Sequence, residues 1–334
     1  MPPTRRAIVA LLLAAVANGG NAEVTEISVA QQYGVSFLPL MVMEREKLVE
    51  KHAKALGLPD LKANWVSVAG PSVMNDGVIS GAIQFIAVGA PSLITLWDKT
   101  KNNVQVKGVS AMTTYPLYLN VRNPNIKSIK DFTDQDKIVV PSIKVSTQAI
   151  MLQMEAAKVF GDANYAKLDP FTIGLSHPDG LLALTNKSGG VDAHFTSSPF
   201  HEQEMKLPGV RTLTTNYEIL GGPATAVVIA ATTKFRDANP KAYQAFYDAL
   251  SEAIATINKD KRTAAKVYLE QAKDTKNSVD DIYAMISASD YHYTLIPQKV
   301  GATADFMYKI GSIKTKPTSW KDLFFPEAHA LPGD

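Results

Sequence analysis

Two stretches decide the fold: "SGAIQFIAVGAPS" at residues 80–92 and "SGGVDAHFTSSPF" at residues 188–200. They align without a gap at an offset of 108 residues. Each opens on Ser-Gly, runs through a largely apolar strand, and ends on two small residues and a proline. Each also follows a candidate helix, residues 71–79 in the first copy and 179–186 in the second. A strand between helices, used twice, points to two α/β lobes of one design. Gly89-Ala90-Pro91 and Ser197-Ser198-Pro199 would then sit at equivalent strand ends. In open α/β sheets ligands lie outside the carboxyl ends of the strands, so two such lobes face to face make a cleft.

The same alternation runs outward from both copies. "EISVAQQYG" (26–34) reads as a first strand, and residues 40–56 as a helix with Lys and Glu on one face and a stop at Gly57. "ANWVSVAG" (63–70) is a second strand, "PSVMNDGVIS" (71–80) a helix opened by Pro71 and Ser72, and "AIQFIAVG" (82–89) a third strand. "YPLYLNVR" (115–122) and "KIVVP" (137–141) are further strands, and "STQAIMLQMEAAKVFG" (146–161) is a helix. The last third is mostly helical. Residues 240–258 set Ala242, Phe246, Ala249, Leu250, Ala253 and Ile257 close to helical spacing. Trp97, Met151 and Met154 fall in apolar helical patterns and are expected in the core.

Composition bounds the class. The chain has 334 residues, 46% hydrophobic and 20% charged, enough for two lobes with a core each. Its net charge of +2 traces to the N-terminus, where Arg5 and Arg6 precede an apolar run at 7–17 and the polar "NGGNA" ending at Ala22. A basic start, an apolar run too short for a bilayer, and Gly20 and Ala22 before the cut read as a cleavable signal peptide, residues 1–22. Cleavage after Ala17 is the alternative. Removing the segment leaves 32 basic against 32 acidic residues. A neutral chain without a basic block argues against a nucleic-acid partner. There is no cysteine, hence neither a disulfide frame nor a lipid-bearing N-terminal cysteine. No later apolar run reaches about 18 residues, so a soluble protein of a Gram-negative periplasm is expected.

The stretch "GGVDAHFTSSPFHEQEM" (189–205) concentrates residues that bind zinc or move protons, yet its spacing does not serve them. A zincin helix needs His-Glu-x-x-His, and after His201-Glu202 the second histidine is missing. Pro199 breaks any helix joining His194 to His201. On a strand, His194 is expected as a hydrogen-bonded scaffold residue. The chain has no G-x-S-x-G elbow, no P-loop, no dinucleotide fingerprint and no cofactor signature. A spatial Ser-His-Asp set is left open, although nothing points to one.

Helix starts are more informative. Ser146 and Thr147 open a helix after "VVPSIKV", and Ser72 opens one after "VSVAG". Unpaired N–H groups at such starts hold an anion without a basic side chain, although plain N-capping is their commoner use. Tyr33 and Phe37 follow the first strand, where they could overhang a cleft, and Tyr115 opens a strand that could cross between lobes. Aromatic walls with a few polar groups describe a small-molecule pocket.

Four stretches carry a resemblance: "GPSVMNDGVISGAIQFIAVGAPSLITLWD" (70–98), "LYLNVRNPNIKSIKDFTDQDKIVVPSIKVSTQ" (117–148), "SGGVDAHFTSSPF", and "VVIAATTKFRDANPKAYQAFYDALSEA" (227–253). On these the chain resembles the periplasmic substrate-binding proteins of ABC importers. The family in question is the nitrate/taurine/alkanesulfonate one, which also includes binders of thiamine-precursor pyrimidines. The resemblance spans residues 23–321 and departs from the family pattern at Gln84, where an aspartate is usual. It implies an α/β two-lobe flytrap of the type II class, each lobe a mixed sheet flanked by helices. Lobe 1 would comprise residues 23–115 and 226–334, lobe 2 residues 116–225, with a hinge near "TTYPLYL" and "GGPATAVV". Ligand contacts would come from Gln32, Tyr33 and Phe37, from Ser72, Asn75, Gly89 and Ser92, and from Tyr115 at the crossing. In lobe 2 they would come from Ser146, Thr147, Ser197 and Ser198, with His201 as a charged or tunable contact.

The resemblance further implies a monomer that closes on its ligand and docks on a membrane permease, without a cofactor or metal. A small anionic or zwitterionic solute is expected, an alkanesulfonate or taurine first. Nitrate, bicarbonate, an aromatic acid or a pyrimidine sandwiched by Tyr33 and Phe37 are the alternatives. A function of another class would be a periplasmic enzyme using His177 or His201.

Overall fold

The computed structural model describes residues 22–334, so all but the last residue of the expected signal peptide lies outside it. Among the described residues eleven strands form in chain order: β1 (Glu26–Gln31), β2 (Lys62–Ser67), β3 (Phe85–Val88), β4 (Val106–Thr114), β5 (Tyr118–Val121) and β6 (Lys137–Val140). They continue with β7 (Thr172–Gly174), β8 (Val191–Thr196), β9 (Arg211–Thr215), β10 (Thr225–Thr232) and β11 (His292–Tyr293). They build two mixed sheets, β11-β4-β10-β3-β1-β2 and β7-β6-β8-β5-β9, flanked by helices.

The two quoted stretches occupy equivalent places. β3 lies between β1, parallel, and β10, antiparallel; β8 lies between β6, parallel, and β5, antiparallel. Phe85 pairs with Val29 and Ala193 with Ile138, and Phe85 and Ala193 are matching positions of the two stretches. The echo in sequence is thus an echo in topology.

Central strands bury both faces, which is why "FIAV" is a continuous apolar run rather than an alternating one. Phe85 is fully buried and stacks on Phe246 with ring centroids 3.7 Å apart, while Phe235 meets it edge-on. Phe246 belongs to the helix Pro240–Lys259, whose buried stripe includes Ala242, Ala249, Leu250, Ala253 and Ile257. Met151 is buried, and Trp97 and Met154 are half-buried against the core.

Two expectations are corrected and one unexpected strand is added. The helix expected over 40–56 is two helices, Leu38–Glu46 and Leu48–Ala55, broken where Lys47 adopts φ 52°. The Lys47 N–H bonds back to Met43 and Glu44, a left-handed cap that turns the second helix toward Glu252 on Pro240–Lys259. The strand β4 has no counterpart in the sequence reading. Both its faces are covered, so it shows no alternation, and Gly108 leaves the space that the Phe324 ring fills. The strand expected from Tyr115 starts at Tyr118, because Tyr115-Pro116-Leu117 forms the passage between sheets.

The chain passes from β4 to β5 through residues 115–117 and returns from β9 to β10 through 216–224. The passages are tied together. The Leu117 N–H donates to Asn216 Oδ1 at 2.7 Å, and the Asn216 N–H donates to the Leu117 carbonyl at 3.1 Å. Thr225 already pairs with Thr114 in the first sheet. Among the described residues no helix is long and apolar enough to cross a membrane.

Replacing Phe85 by Ala removes the ring from this fully enclosed stack. Denaturant unfolding of Phe85→Ala is expected to show a loss of about 3–5 kcal/mol, and a loss below about 1 kcal/mol would refute the packing role assigned to it.

Candidate functional site

The carboxyl ends of the parallel strands face one another across the two sheets. Beyond β1, β2 and β3 lie Gly34, Gly70 and Gly89, and each touches the opposite side. A Cβ on Gly34 would come within 3.0 Å of the Ser198 carbonyl oxygen; one on Gly70 would overlap the Pro141 carbonyl, and one on Gly89 the Thr147 hydroxyl. The Val35 N–H also donates to the Ser198 carbonyl at 3.3 Å. Pro141 follows β6 and Ser198 follows β8, so strand end meets strand end at backbone distance.

A narrow cavity of about 30 Å³ lies between these ends. That is room for about two water molecules. Gln32, Phe37, Pro71 and Gly89 line it from the first sheet's side, Tyr115 and Leu117 from the first passage, and Ala226 and Val227 from the start of β10. Ser146, Thr147, Gln148, His177 and Ser197 line it from the second. No lysine, arginine, aspartate or glutamate is among them. The polar donors are instead a helix start: Ser146 caps Thr147–Phe160 by accepting the Ala149 N–H at 3.3 Å. The N–H groups of Thr147 and Gln148 precede the first helical acceptor and are free for a ligand. Burial pushes the Tyr115 hydroxyl up to about 12, against the Ser36 and Ser197 hydroxyls, so it stays a neutral donor.

Gln32 also lines a larger groove of about 530 Å³ that opens to the surface. Its walls include Tyr33, Met41, Trp65, Leu181, Phe200 and Tyr268, with Glu44 as an acid whose carboxyl burial pushes up. The groove and the cavity together form one cleft, wide outside and narrow within.

Of the residues expected from sequence, Gln32, Phe37, Gly89, Tyr115, Ser146, Thr147 and Ser197 line the cavity, and Tyr33 lines the groove. Five stand elsewhere. Ser72 is exposed, because the residue that opens Pro71–Ser80 is Gly70 and Ser72 has already turned outward. Ser92 donates to Asn75 Oδ1 at 2.7 Å, fastening Ala90–Thr100 to Pro71–Ser80. The Ser198 hydroxyl donates to Glu202 at 2.7 Å, so only its backbone reaches across. His201 stacks on Tyr118 with centroids 3.7 Å apart and lies 3.2 Å from Asn120; burial lowers it to about 4 and keeps it neutral.

His194 is fully buried among polar partners, as a scaffold histidine. Among the described residues no three His, Asp or Glu side chains are set to hold a metal ion. Sequence reasoning missed Gly34, Gly70 and Gln148, and weighed His177 only as an enzyme residue. His177 opens the helix after β7, as Pro71 opens the one after β2, and that positional match was the available signal.

No protein-family model matches the chain, and no curated protein matches it by sequence. Solved structures do match. The alkanesulfonate-binding protein SsuA from Xanthomonas axonopodis pv. citri, bound to MOPS, aligns with TM-score 0.69 at 16% identity over 90% of this chain and 98% of its own. A protein from Bordetella bronchiseptica RB50 aligns with TM-score 0.72 at 19% identity, covering 91% and 95%. The periplasmic nitrate-binding protein NrtA from Synechocystis PCC 6803 aligns with TM-score 0.65 at 16% identity, covering 86% and 81%. The chain has the fold of these periplasmic binding proteins.

Gly70 has φ −169° and ψ 175°, extended backbone that alanine adopts freely. Only the space over it, filled by the Pro141 carbonyl, requires glycine. Gly70→Ala is therefore expected to hold the lobes apart with little change in Tm, seen as a larger radius of gyration by solution scattering. An unchanged envelope would show that the lobes do not meet there.

Proposed function

We propose that the protein is the solute receptor of an ABC importer, with lobes of residues 23–115 plus 226–334 and 116–225 that close on a small anionic or zwitterionic solute. The observation that carries this reading is the cavity itself. It is enclosed by the strand ends of both sheets, holds the open start of Thr147–Phe160, and has no charged side chain in its wall. Such a site stabilises an acid group through oriented N–H and O–H donors rather than through a counter-ion. A receptor must also release its cargo, and a site without a buried ion pair suits that.

The acid group is assigned to the inner cavity and the rest of the solute to the aromatic groove that shares Gln32 with it. An alkanesulfonate or taurine fits this division, and a sulfonate-binding protein is among the solved structures of the same fold. A bare oxyanion such as nitrate or bicarbonate is the second reading, favoured by the cavity's volume of about 30 Å³. The pyrimidine sandwich is not supported, because Tyr33 lines the groove and Phe37 the cavity, so they do not wall one slot. The enzyme reading also lacks support: His177 lies 3.0 Å from His194 and 3.4 Å from Gln148, with no serine, aspartate or glutamate among the partners of its ring nitrogens. Export to the periplasm, a permease partner and a monomeric state belong to the same proposal.

Thermal shift with nitrate, bicarbonate, ethanesulfonate, taurine and an aromatic sulfonate separates the readings. Stabilisation that grows with solute concentration, without turnover, is expected for a receptor. Sulfonates should outrank nitrate, and the reverse order would favour the bare oxyanion. Thr147→Ala removes one donor, so the dissociation constant should rise about fivefold for a loss near 1 kcal/mol. Unchanged affinity would remove Thr147 from the site.

A further inference from the structure

Behind the cavity wall the second lobe buries an acid. Glu204 is completely buried. Its Oε1 lies 2.5 Å from Nδ1 of His194, and its Oε2 accepts from Asn120 Nδ2 at 2.9 Å. His194, also completely buried, turns its Nε2 to Nδ1 of His177 at 3.0 Å. His177 carries the row to the cavity it lines, where its own Nε2 lies 3.4 Å from the Gln148 amide, another lining group. Gly180 lets the helix of His177 lie this close, since a Cβ there would come within 2.6 Å of the His194 ring.

The row obeys a simple proton count. Its two hydrogen bonds, Glu204 to His194 and His194 to His177, need one proton each. With only those, Glu204 is a carboxylate, both rings are neutral, and His177 offers a bare Nε2 to the Gln148 amide. The row then carries one negative charge. A third proton, taken from solvent water, brings the net charge to zero. However the three then distribute, one must sit on Nε2 of His177, which becomes a donor.

We propose that Glu204, His194 and His177 form a proton relay that makes His177 a ligand-contacting residue of the cavity, an acceptor when the row is charged and a donor when it has taken up a proton. An anion in the cavity then binds together with one proton, whereas a solute offering an N–H or O–H at that position binds without it. The anion-linked half rests on the receptor reading above; the relay itself does not. Burial above all holds His177 well below the usual histidine range, so the unliganded ring is neutral near pH 7.

Few other charged groups face the row. On the helix of His177, Asp179 is taken by the Ser176 hydroxyl at 2.5 Å. On the helix of Glu204, His201 is held neutral, and the Glu202 carboxyl is pushed up by burial while it accepts from Ser198. Asp192 of β8 is turned to Asp136, and Tyr118 of β5 is stacked on His201. The helix Thr147–Phe160, β6 and β9 present Gln148, Val139 and Thr212, none of which ionises in this range.

The test is nitrogen-15 NMR of the histidines in the whole protein across pH, with affinity for nitrate and ethanesulfonate at each pH. The two rings should titrate with one shared midpoint, both carrying their proton on Nδ1 above it. Glu204→Gln should move that midpoint down by about one to three pH units. Independent titration, or His177 protonated on Nε2 above the midpoint, would overturn the relay. The dissociation constant of either anion should be flat below the midpoint and rise about tenfold per pH unit above it. Should Glu204→Gln fail to fold, His177→Asn at the cavity edge serves instead: it should abolish that slope, and a wild-type slope would overturn the proposal. Absence of any anion binding, with the shared titration intact, would defeat the receptor reading and leave the relay standing; binding without a pH slope would defeat the proton linkage alone.

Discussion

Everything in the cleft depends on two sheets meeting at backbone distance. Gly34, Gly70 and Gly89 stand at the ends of three adjacent parallel strands, and each gives up its side chain to an atom of the opposite lobe. A methyl group at Gly34 or Gly70 would wedge the surfaces apart, because the opposing groups are backbone carbonyls and cannot rotate away; at Gly89 it would displace the Thr147 hydroxyl. The narrow cavity exists only because three side chains are missing in register. Phe37, Tyr115 and Leu117 line it, and the donors at Thr147 act in a space with room for about two waters.

The second constraint lies in the polar row behind the cavity. A carboxylate without solvent contact is costly to bury, and replacing such a pair by apolar residues often stabilises a protein. Glu204 has both oxygens engaged, Asn120 is in turn held by Thr212 at 2.9 Å, and a glycine gives the row its space. That investment lies against the cavity that His177 lines. Alongside it Val139, Leu184, Val191 and Val210 form a separate apolar cluster.

Much of this was legible in the sequence, for identifiable reasons. The two Ser-Gly-strand-Pro stretches could be matched because each is local, and the cavity residues near strand ends followed from topology. Gly108 in β4 and Lys47 between two helices were not legible, since a covered strand shows no alternation and a left-handed lysine leaves no mark. Ser72 misled because capping by serine is commoner than capping by a bare glycine. The relay was invisible because its members come from β8 and two helices, and "HEQEM" alone looks like a solvated helix turn. Residue type favoured His201; the structure stacks it on Tyr118 and sets His177 in the cavity wall instead.

The strand β10 has a consequence for how the protein assembles. Residues 118–215 contain every strand of the second sheet, so that sheet can be finished from one continuous piece of chain. The first cannot. β3 and β4 are not neighbours; the eight residues of β10, made more than a hundred positions later, lie between them. A chain growing from its N-terminus therefore completes its second lobe while the first waits as a three-stranded fragment with β3 at an open edge. Such an edge invites wrong partners until the missing strand arrives. Thr225–Thr232 is a keystone set last, and the interval before it is when a nascent chain most needs protection.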